Sequence, residues 1–436
     1  MALTKVSYSM INGAPINILD LGAVMNDSGA KVANTAALNA AINAGGTIII
    51  PNGDFYINPI TLDGSKGFVL IGQGRDATTI KGAGNLFTVT GTLSVFISMA
   101  SFSIENETTN GALFYMNAGS PTSGIAFNDI TFGTCVNHFK ADCLMVSQSF
   151  ENSRFENHTG YSRTYNAGAY ACQEDNCYTW TGFAGVFSTG YSFGNTINNS
   201  VFEQLQDRAF YINTGTSPSD VLTWTFNSCY YELCALADPT TIPYIQLNNS
   251  SGQRLWGVTF NSCSFNHNTG FGLLDYFVQI VNSSGGTIQN FSFNNGECFG
   301  NFTHFANDTT AVVFNQFSFN SSAPETNNLI GIALRYVDSN NLINYSVDLT
   351  GASTIVYTLA AGACITLDVR GTASGASTFA KYFVSYAVAG TAGIATAIVT
   401  NAGGPTITVT VSTAGVLTVG LSGSTPTGRC WLNGQP

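Results

Sequence analysis

Three glutamates occupy one position of a repeated sequence pattern, and their spacing could support acid–base or nucleophilic chemistry. Glu156, Glu203 and Glu232 each follow the second aromatic residue of a repeat. If successive repeats stack as paired strands, Glu203 lies roughly 5 Å from Glu232 and roughly 9–10 Å, or two repeats, from Glu156. Retaining and inverting glycoside hydrolases hold their two carboxyl groups about 5–5.5 Å and about 6.5–9.5 Å apart. We therefore predict a catalytic carboxylate site, with Glu203 as the best candidate for its acid or nucleophile.

Polar and aromatic neighbours could complete such a site. Asp207 is expected to join the catalytic carboxylates, and flat indole rings could receive sugar rings. The expected substrate-binding residues are Arg208, Tyr178, Trp180, Trp224, Glu174 and Asp175. The alternative is a solvated outer face, on which glutamate serves only solubility.

Cysteine and histidine usage argues against a metal or redox site. The ten Cys include no CxxC pair, and the four His share no position of the repeat. Cys229 and Cys263 occupy the same slot of successive repeats, which predicts small apolar core residues. We expect no metal and no cofactor.

The repeat that must position these residues is clearest in "WTFNSCYY" and "VTFNSCSF", which begin at Trp224 and Val258. Two apolar positions, five residues apart, are expected to face an interior. The first is Phe127, Phe150, Cys172, Ile197, Phe226, Phe260, Phe293 and Phe314. The second is Phe132, Phe155, Cys177, Phe202, Tyr231, Phe265, Cys298 and Phe319.

Two further positions of the repeat are polar. The residue after the first apolar position forms a column that predicts a ladder of stacked amides: Asn128, Glu151, Gln173, Asn198, Asn227, Asn261, Asn294 and Asn315. The residue after the second apolar position is expected to face outward by strand alternation: Gly133, Glu156, Tyr178, Glu203, Glu232, Asn266, Phe299 and Asn320.

The period of the repeat indicates the fold. Successive copies are 21 to 34 residues apart, and each contains two short alternating runs around a polar bend. Because no copy holds an amphipathic helix of about ten residues, a helical solenoid is excluded. The sequence predicts an all-β chain built as a right-handed, single-stranded parallel β-helix.

The N-terminal stretch resembles a known protein family. A strand is expected over 16–19 and a short helix over about 34–43, followed by strand, turn and strand in "GGTIIIPNGDFYIN". The segments "LDLGAV" and "NTAALNAAINAGGTIIIPNGDFYI", with the lead-in "TKVSYSMINGAPINI", resemble the N-terminal block of pectate-lyase-like bacteriophage tailspikes and tail fibres. The stretch "NDSGAKVAN" departs from the family pattern, which is acidic there. The resemblance implies a helix that caps the β-helix and a parallel homotrimer clamped at the C-terminus.

These patterns predict four segments. They are a tail-attachment segment at 1–15, an N-terminal cap at 16–90, a parallel β-helix at 91–325 and a small antiparallel β-domain for trimerisation at 326–436. A monomeric β-sandwich with a Thr/Ser surface is the alternative for the last segment.

Composition excludes some classes of partner. Charged residues make up 9% of the chain and the net charge is −11, so nucleic acid and anionic membranes are disfavoured as partners. No signal peptide and no membrane span is apparent in the sequence, which predicts synthesis in the bacterial host cytoplasm and no membrane insertion.

The resemblance and the carboxylates together suggest a function. We expect a virion tailspike that recognises host surface polysaccharide, hydrolyses it, and contacts phage tail proteins and two further copies of itself. A glycan-binding adhesin without turnover is the alternative, and a polysaccharide lyase is less favoured because neither a basic residue nor a Ca²⁺-binding Asp cluster is obvious. Whether the site lies within one chain or between chains stays open.

Overall fold

The computed structural model describes most of the N-terminal two thirds of the chain and individual strands beyond it. The described residues are 14–91, 95–117, 122–215, 221–250, 254–282, 288–308, 313–321, 335–336, 343–350, 354–358, 363–373, 376–386, 392–401, 406–413, 416–422 and 427–435. Contacts between residues divide the chain into two units, which are described separately.

The first unit is a parallel β-helix, as predicted. Each turn contributes a strand to a first face, a second face and a third face, and strands of successive turns pair in parallel. The first face contains Ile16–Asn17, Gly46–Ile49, Phe68–Ile71, Ser149–Glu151, Gln173–Asp175, Asn195–Asn198, Val221–Asn227, Leu255–Asn261 and the start of Ile288–Gly300. The second face contains Gly53–Tyr56, Thr78–Gly82, Arg154–Glu156, Tyr178–Gly182, Val201–Leu205, Tyr230–Glu232 and Ser264–His267, and Ile97–Asn106 and Ile125–Phe132 run through both faces.

The third face is a ten-stranded sheet within the described residues. Its strands are Ile60–Asp63, Phe87–Thr90, Ala112–Asn117, Asn137–Ala141, Tyr161–Tyr165, Ala184–Thr189, Phe210–Asn213, Ile245–Asn249, Leu274–Asn282 and Phe302–Asp308. Short strands precede the first face at Thr122–Ser123, Met145–Val146, Gly168–Tyr170 and Tyr191–Phe193. The strand Val313–Ser321 spans the boundary between the two units, and Arg335–Tyr336, which pairs with it in parallel, belongs to the second unit.

A single left-handed residue makes the corner between the first and second faces. These corner residues have φ between 48° and 59° and are Ser101, Asp129, Asn152, Asn176, Asn199, Ser228 and Ser262. Short polar side chains tolerate this conformation better than other non-glycine residues because they hydrogen-bond locally. The Ser in the repeat "FNSC" therefore encodes a one-residue corner.

The interior columns confirm most of the predicted register. Phe127 pairs in register with Phe150, and Phe226 with Phe260. Their rings stack, with centroids 5.0 Å apart in the first pair and 4.6 Å in the second. Phe260 stacks in turn on Phe293 at 4.7 Å.

One turn departs from the prediction by two residues. The register places Glu174, not Cys172, between Phe150 and Ile197. It likewise places Thr179, not Cys177, between Phe155 and Phe202. The predictions for the polar positions of this turn were wrong by the same shift: Asp175 replaces Gln173 in the amide column, and Trp180 replaces Tyr178 in the outer column.

A buried ion pair explains how a glutamate can occupy an aromatic column. Arg163, from the third face, is fully buried and contacts Glu174 with Nε to Oε1 at 3.0 Å and Nη2 to Oε2 at 2.8 Å. Arg163 Nη1 also donates to Ser162 at 2.9 Å and to Thr179 at 2.7 Å, and the guanidinium carbon lies 4.1 Å from the ring centre of Phe155. This bidentate geometry satisfies both charges inside the β-helix.

The predicted amide ladder is present on the outside of the first face. Asn227 donates to Asn198 at 2.7 Å, Asn261 donates to Asn227 at 2.8 Å, and Asn294 donates to Asn261 at 2.8 Å. Asn198 donates in turn to Asp175. The ladder is half-exposed, and not at a buried corner as expected, because the residue after an inward Phe points outward.

The cysteines are core residues, as predicted. Every cysteine whose side chain the structure describes is buried: Cys135, Cys143, Cys172, Cys177, Cys229, Cys234, Cys263 and Cys298. Burial raises the pKa of the Cys172 and Cys177 thiols to about 12. These thiols are therefore protonated at neutral pH.

A helix lies at the N-terminal end of the first unit. It spans Lys31–Ala44, which begins three residues before the predicted start, and it buries Asn34, Ala37, Leu38, Ala41 and Ile42. Asn34 accepts from the backbone N–H of Val24 at 2.6 Å and donates to Val24 and Tyr56 carbonyls. The predicted strand at 16–19 is shorter than expected, since Ile18–Leu21 forms a 3₁₀ turn.

In the second unit, the described strands from residue 343 onward are antiparallel, as predicted for the C-terminal end. Five strands pair in the order Ile343–Thr350, Thr427–Gln435, Ala363–Ala373, Ala376–Tyr386 and Ile394–Asn401. Three more pair in the order Thr354–Thr358, Val416–Ser422 and Thr406–Val411. Among the described residues, no helix has the length and apolar character required to cross a membrane.

Candidate active site

The predicted glutamates share one outward column on the second face. Glu203 pairs in register with Glu232, and Trp180 lies between Glu203 and Glu156. Glu203 and Glu232 are therefore one turn apart, and Glu156 and Glu203 are two turns apart, as the repeat predicted. Asn266 continues the column after Glu232.

Each of the two adjacent glutamates is held by a tyrosine from the neighbouring outward column. Tyr178 donates to Glu203 Oε2 at 2.5 Å, and Tyr230 donates to Glu232 Oε2 at 2.9 Å. Asn266 donates to Glu232 Oε1 at 2.9 Å, whereas Gln204 donates to Glu203 Oε1 at 3.3 Å.

The pKa values of Tyr178 and Tyr230 are sensitive to the negative charge of this column. Partial burial and the hydrogen bond to Glu203 raise the pKa of Tyr178 well above its usual value, and the charges of Glu203, Glu156 and Glu232 act in the same direction. Burial and the Glu232 carboxylate likewise raise the pKa of Tyr230. Both phenols are therefore hydrogen-bond donors at neutral pH.

The position of Trp180 favours one of the two carboxylate spacings over the other. Its indole is 37% exposed and stacks on Tyr178 with centroids 6.2 Å apart. It occupies the turn between Glu156 and Glu203, where an inverting mechanism needs room for water. The adjacent pair, Glu203 and Glu232, is thus favoured over the two-turn pair.

Glu105 is a member of this acidic column that the repeat analysis missed. It lies one turn before Gly133 and pairs with Lys81 at 3.1 Å. A Cβ at Gly133 would come within 3.0 Å of the Glu105 Cβ, so glycine leaves space between Glu105 and Glu156. A cavity of about 310 Å³ lies there, lined by Arg75, Asp76, Thr79, Ser103, Ile104, Glu105, Thr131, Gly133, Thr134, Glu156 and Asn157. Met99 and Ile104 are the register partners of Phe127 and Phe132, so Glu105 follows the second apolar position of its turn, as the other members of the column do.

A second cleft begins at the corner that follows the glutamate column. Its volume is about 510 Å³, and its lining is Thr109, Thr134, Asn157, His158, Thr159, Thr181, Gly182, Phe183, Gln204 and Gln206. We call it the corner cleft. Thr134 and Asn157 line both cavities, so the two are adjacent; Glu156 lines the first, and Gln204, the neighbour of Glu203, lines the second.

Two predicted substrate-binding residues lie inside the β-helix. Trp224 is 3% exposed, and its indole packs edge-on against Phe210 at 4.9 Å, so it offers no flat face to a sugar. Glu174 is the interior partner of Arg163. Side chains alternate along a strand. Because Thr225 and Asp175 face outward, the residues before them, Trp224 and Glu174, face inward.

The other predicted site residues lie outside the glutamate column. Asp175 belongs to the amide ladder. Asp207 and Arg208 form an ion pair at 3.1 Å just before the third-face strand Phe210–Asn213, and the Arg208 guanidinium lies 5.2 Å from the ring of Tyr211. Burial and the charge of Asp207 raise the pKa of nearby Tyr161 to about 12.

The column therefore joins Glu203, Glu232 and Trp180, with Glu156 beyond the indole, and Tyr178 contacts it from the neighbouring column. Among the described residues, no group of three His, Cys, Asp or Glu side chains is arranged to hold a metal ion.

Comparisons with known proteins identify the fold. No protein-family model and no curated protein sequence matches the chain. The tailspike protein gp49 of Acinetobacter baumannii bacteriophage Fri1, described as a capsular polysaccharide depolymerase, superposes with a TM-score of 0.50 at 11% identity, over 98% of this chain and 87% of that one. The tailspike of Acinetobacter phage vB_ApiP_P1 gives a TM-score of 0.42 at 13% identity, over 96% and 86% of the two chains. The catalytic domain of a GH87 α-1,3-glucanase gives 0.46 at 12% identity, over 69% and 63%.

At this level of identity the superposition on gp49 shows a shared fold. This chain is therefore an all-β protein with a parallel β-helix and C-terminal antiparallel strands, similar over nearly its whole length to a phage tailspike.

Proposed function

We propose that the chain is a virion tailspike that binds a host surface polysaccharide and hydrolyses it at Glu203 and Glu232. The observation that carries the proposal is the register pairing of these two outward glutamates on adjacent turns, beside an exposed indole. Adjacent strands are roughly 4.8 Å apart, which is compatible with the carboxyl separation of retaining glycosidases. The activity given for gp49 supports the same substrate class.

The hydrogen bonds suggest a role for each carboxylate. Glu232 accepts two bonds of 2.9 Å, from Tyr230 and Asn266, which hold its carboxyl group in place, as a nucleophile requires. Glu203 accepts one short bond from Tyr178 and a long one from Gln204, and it lies between Glu232 and Trp180. We assign it as the general acid.

The resulting reaction has two steps. Glu203 gives its proton to the glycosidic oxygen while a Glu232 oxygen attacks the anomeric carbon and the leaving sugar departs. Water then attacks the same carbon, Glu203 accepts the water proton, and Glu232 is released as a carboxylate. Trp180, whose ring is exposed beside Glu203, would orient a sugar ring by stacking.

Incubation with purified host surface polysaccharide tests this function. New reducing ends support hydrolysis. An unsaturated uronate product would instead indicate a lyase, in which the exposed Arg154, the register partner of Tyr178, could neutralise a uronate. Binding without either product would indicate an adhesin.

A matched pair of variants tests the assignment. Glu203→Gln should keep polysaccharide affinity and lower the hydrolysis rate at least about a hundredfold, the usual effect of losing a positioned acid. Glu107→Gln, which removes only the surface ion pair with Lys31, should retain the rate. A full rate in Glu203→Gln would show that the glutamate column is a solvated face.

The proposal extends to assembly and location. The chain would form a parallel homotrimer through the segment at 326–436 and would reside in the phage tail. The segment at 1–15 would attach it to tail proteins, and residues 1–13 of that segment lie outside the described residues. Deleting 1–15 should leave a folded protein that no longer assembles onto phage particles.

A further inference from the structure

The corner cleft contains a buried histidine whose second nitrogen has no protein partner. His158 is 3% exposed, and its Nε2 lies 2.7 Å from the carbonyl oxygen of Ala184. Because a carbonyl only accepts hydrogen bonds, Nε2 carries the ring proton and Nδ1 has a free lone pair. Nδ1 has no hydrogen-bond partner within the part of the chain that the structure describes.

The environment keeps this imidazole neutral and fixed. Burial lowers the pKa of His158 to about 4, and the charge of Arg163 acts in the same direction. The ring lies against Gly182, where a Cβ would come within 2.2 Å of Nδ1. His158 and Gly182 both line the corner cleft. A buried acceptor without a donor is destabilising, and a ligand that donates a hydrogen bond would satisfy it.

The remaining lining of the cleft indicates the chemistry of that donor. It consists of hydroxyl and amide side chains and one 39% exposed ring, that of Phe183, and none of its described members is an acid, Lys or Arg. A carboxylate would set one acceptor against another at Nδ1, and nothing in the lining would neutralise its charge. A sugar hydroxyl can donate to Nδ1, and the apolar face of a sugar ring can cover Phe183.

The cleft is also connected to the proposed catalytic pair. Gln204 lines it and donates to Glu203 Oε1 at 3.3 Å. A sugar in the cleft would therefore lie beside Gln204, the residue that follows the proposed acid in the sequence.

We propose that the corner cleft is a binding subsite for an uncharged sugar unit, one hydroxyl of which donates a hydrogen bond to His158 Nδ1. The sugar class rests on the proposed function, because the unit belongs to the polysaccharide that the glutamates cleave. The subsite selects against a uronate at this position of the polysaccharide.

Saturation-transfer NMR with single monosaccharides tests the subsite. Glucose and N-acetylglucosamine should receive saturation from the full-length protein, and glucuronate should not. Phe183→Ala removes a ring that a sugar would cover and should weaken the binding of both neutral sugars about tenfold. The matched control is Phe193→Ala, which removes a ring of similar exposure, 38%, stacked on Tyr170 at another corner. It should bind like the parent chain.

Crystals soaked in N-acetylglucosamine give the position directly. The expected result is a sugar in the cleft with a hydroxyl within hydrogen-bond distance of His158 Nδ1. Equal binding of glucuronate, unchanged binding in Phe183→Ala, or a sugar found only elsewhere would overturn the subsite.

The two proposals fail separately. Cleavage that depends on Glu203 without sugar in the cleft would leave the hydrolase and remove the subsite. Sugar in the cleft without cleavage would leave a glycan-binding subsite and remove the hydrolase.

Discussion

Arg163 and Glu174 show how strongly a single buried charge can affect the free energy of unfolding. Removing one partner leaves the other charge unpaired among Phe155, Phe150 and Ile197. We expect Glu174→Ala to lower the free energy of unfolding by roughly 3–5 kcal/mol. Denaturant unfolding followed by circular dichroism would measure the loss.

Two further variants make this prediction specific. Replacing both partners by apolar residues, as Arg163→Met with Glu174→Leu, should restore most of the lost stability, since neither charge is then buried. Glu151→Ala, in the exposed position beside Phe150, should change stability little. A double variant as unstable as Glu174→Ala would show that packing around the pair, and not its charge, sets the cost.

At the scale of the strand and its corner, the amide ladder should behave as a shared element. Asn227 donates one ladder bond and accepts another. Asn227→Ala should therefore destabilise the β-helix by roughly 1–3 kcal/mol, at about 1 kcal/mol for each lost bond. In Asn128→Ala, the bond lost to Glu151 is 3.4 Å long and exposed, so thermal unfolding should stay close to that of the parent chain. Equal effects at both positions would contradict a cooperative ladder.

The spacing of aromatic residues predicted most of these elements, because Phe127, Phe150, Phe226 and Phe260 occupy one column. It failed in one turn because Cys172 and Cys177 imitate the apolar spacing while Glu174 and Thr179 face inward. A polar interior position is stable there only because Arg163 approaches from the third face. The local sequence pattern does not reveal a partner residue that comes from another strand.

The candidate site was predicted where it depends on alternation and missed where it depends on tertiary contact. Glu203 and Glu232 were placed correctly because their strands follow the repeat. Trp180 was expected as a flat face, but its position between Glu156 and Glu203 was hidden by the same two-residue shift. The role of His158 rests on a carbonyl 26 residues away, at Ala184, which no motif could reveal.

For the whole molecule, buried histidines predict a loss of stability in mild acid. Burial holds the pKa of His158 at about 4 and the pKa of His138 well below its usual value. In the unfolded chain a histidine titrates near about 6.5, so below that pH the unfolded state binds protons that the folded state does not. Their stabilising contribution is complete above about pH 6.5 and is lost as the pH falls towards their folded pKa values.

The size of the effect can be measured before the carboxylates titrate. His158 alone should lower the free energy of unfolding by about 2 kcal/mol between about pH 7 and pH 5. Denaturant unfolding at several pH values would show the slope, and His158→Gln should reduce it. A stability independent of pH over this range would mean that the imidazole takes up its proton in the folded state as it does in the unfolded chain.

Assembly is also a property of the whole molecule. If the proposed homotrimer is held by the segment at 326–436, light scattering should return the mass of three chains. Truncation after residue 325 should return the mass of one. A full-length monomer, or a truncated chain that stays trimeric, would contradict the proposed role of this segment.

The ion pair of Arg163 and Glu174 also bears on errors made while the chain folds. Aromatic columns offer a similar partner at every turn, so a strand misplaced by one turn would lose little packing. Arg163 has a matching carboxylate at one turn, and a slip would set it against Phe150 or Ile197, the neighbours of Glu174 in that column. The pair would thus disfavour folding intermediates in which a strand is paired with the wrong turn. A double apolar variant should then remain stable once folded but refold with a lower yield and more aggregation than the parent chain.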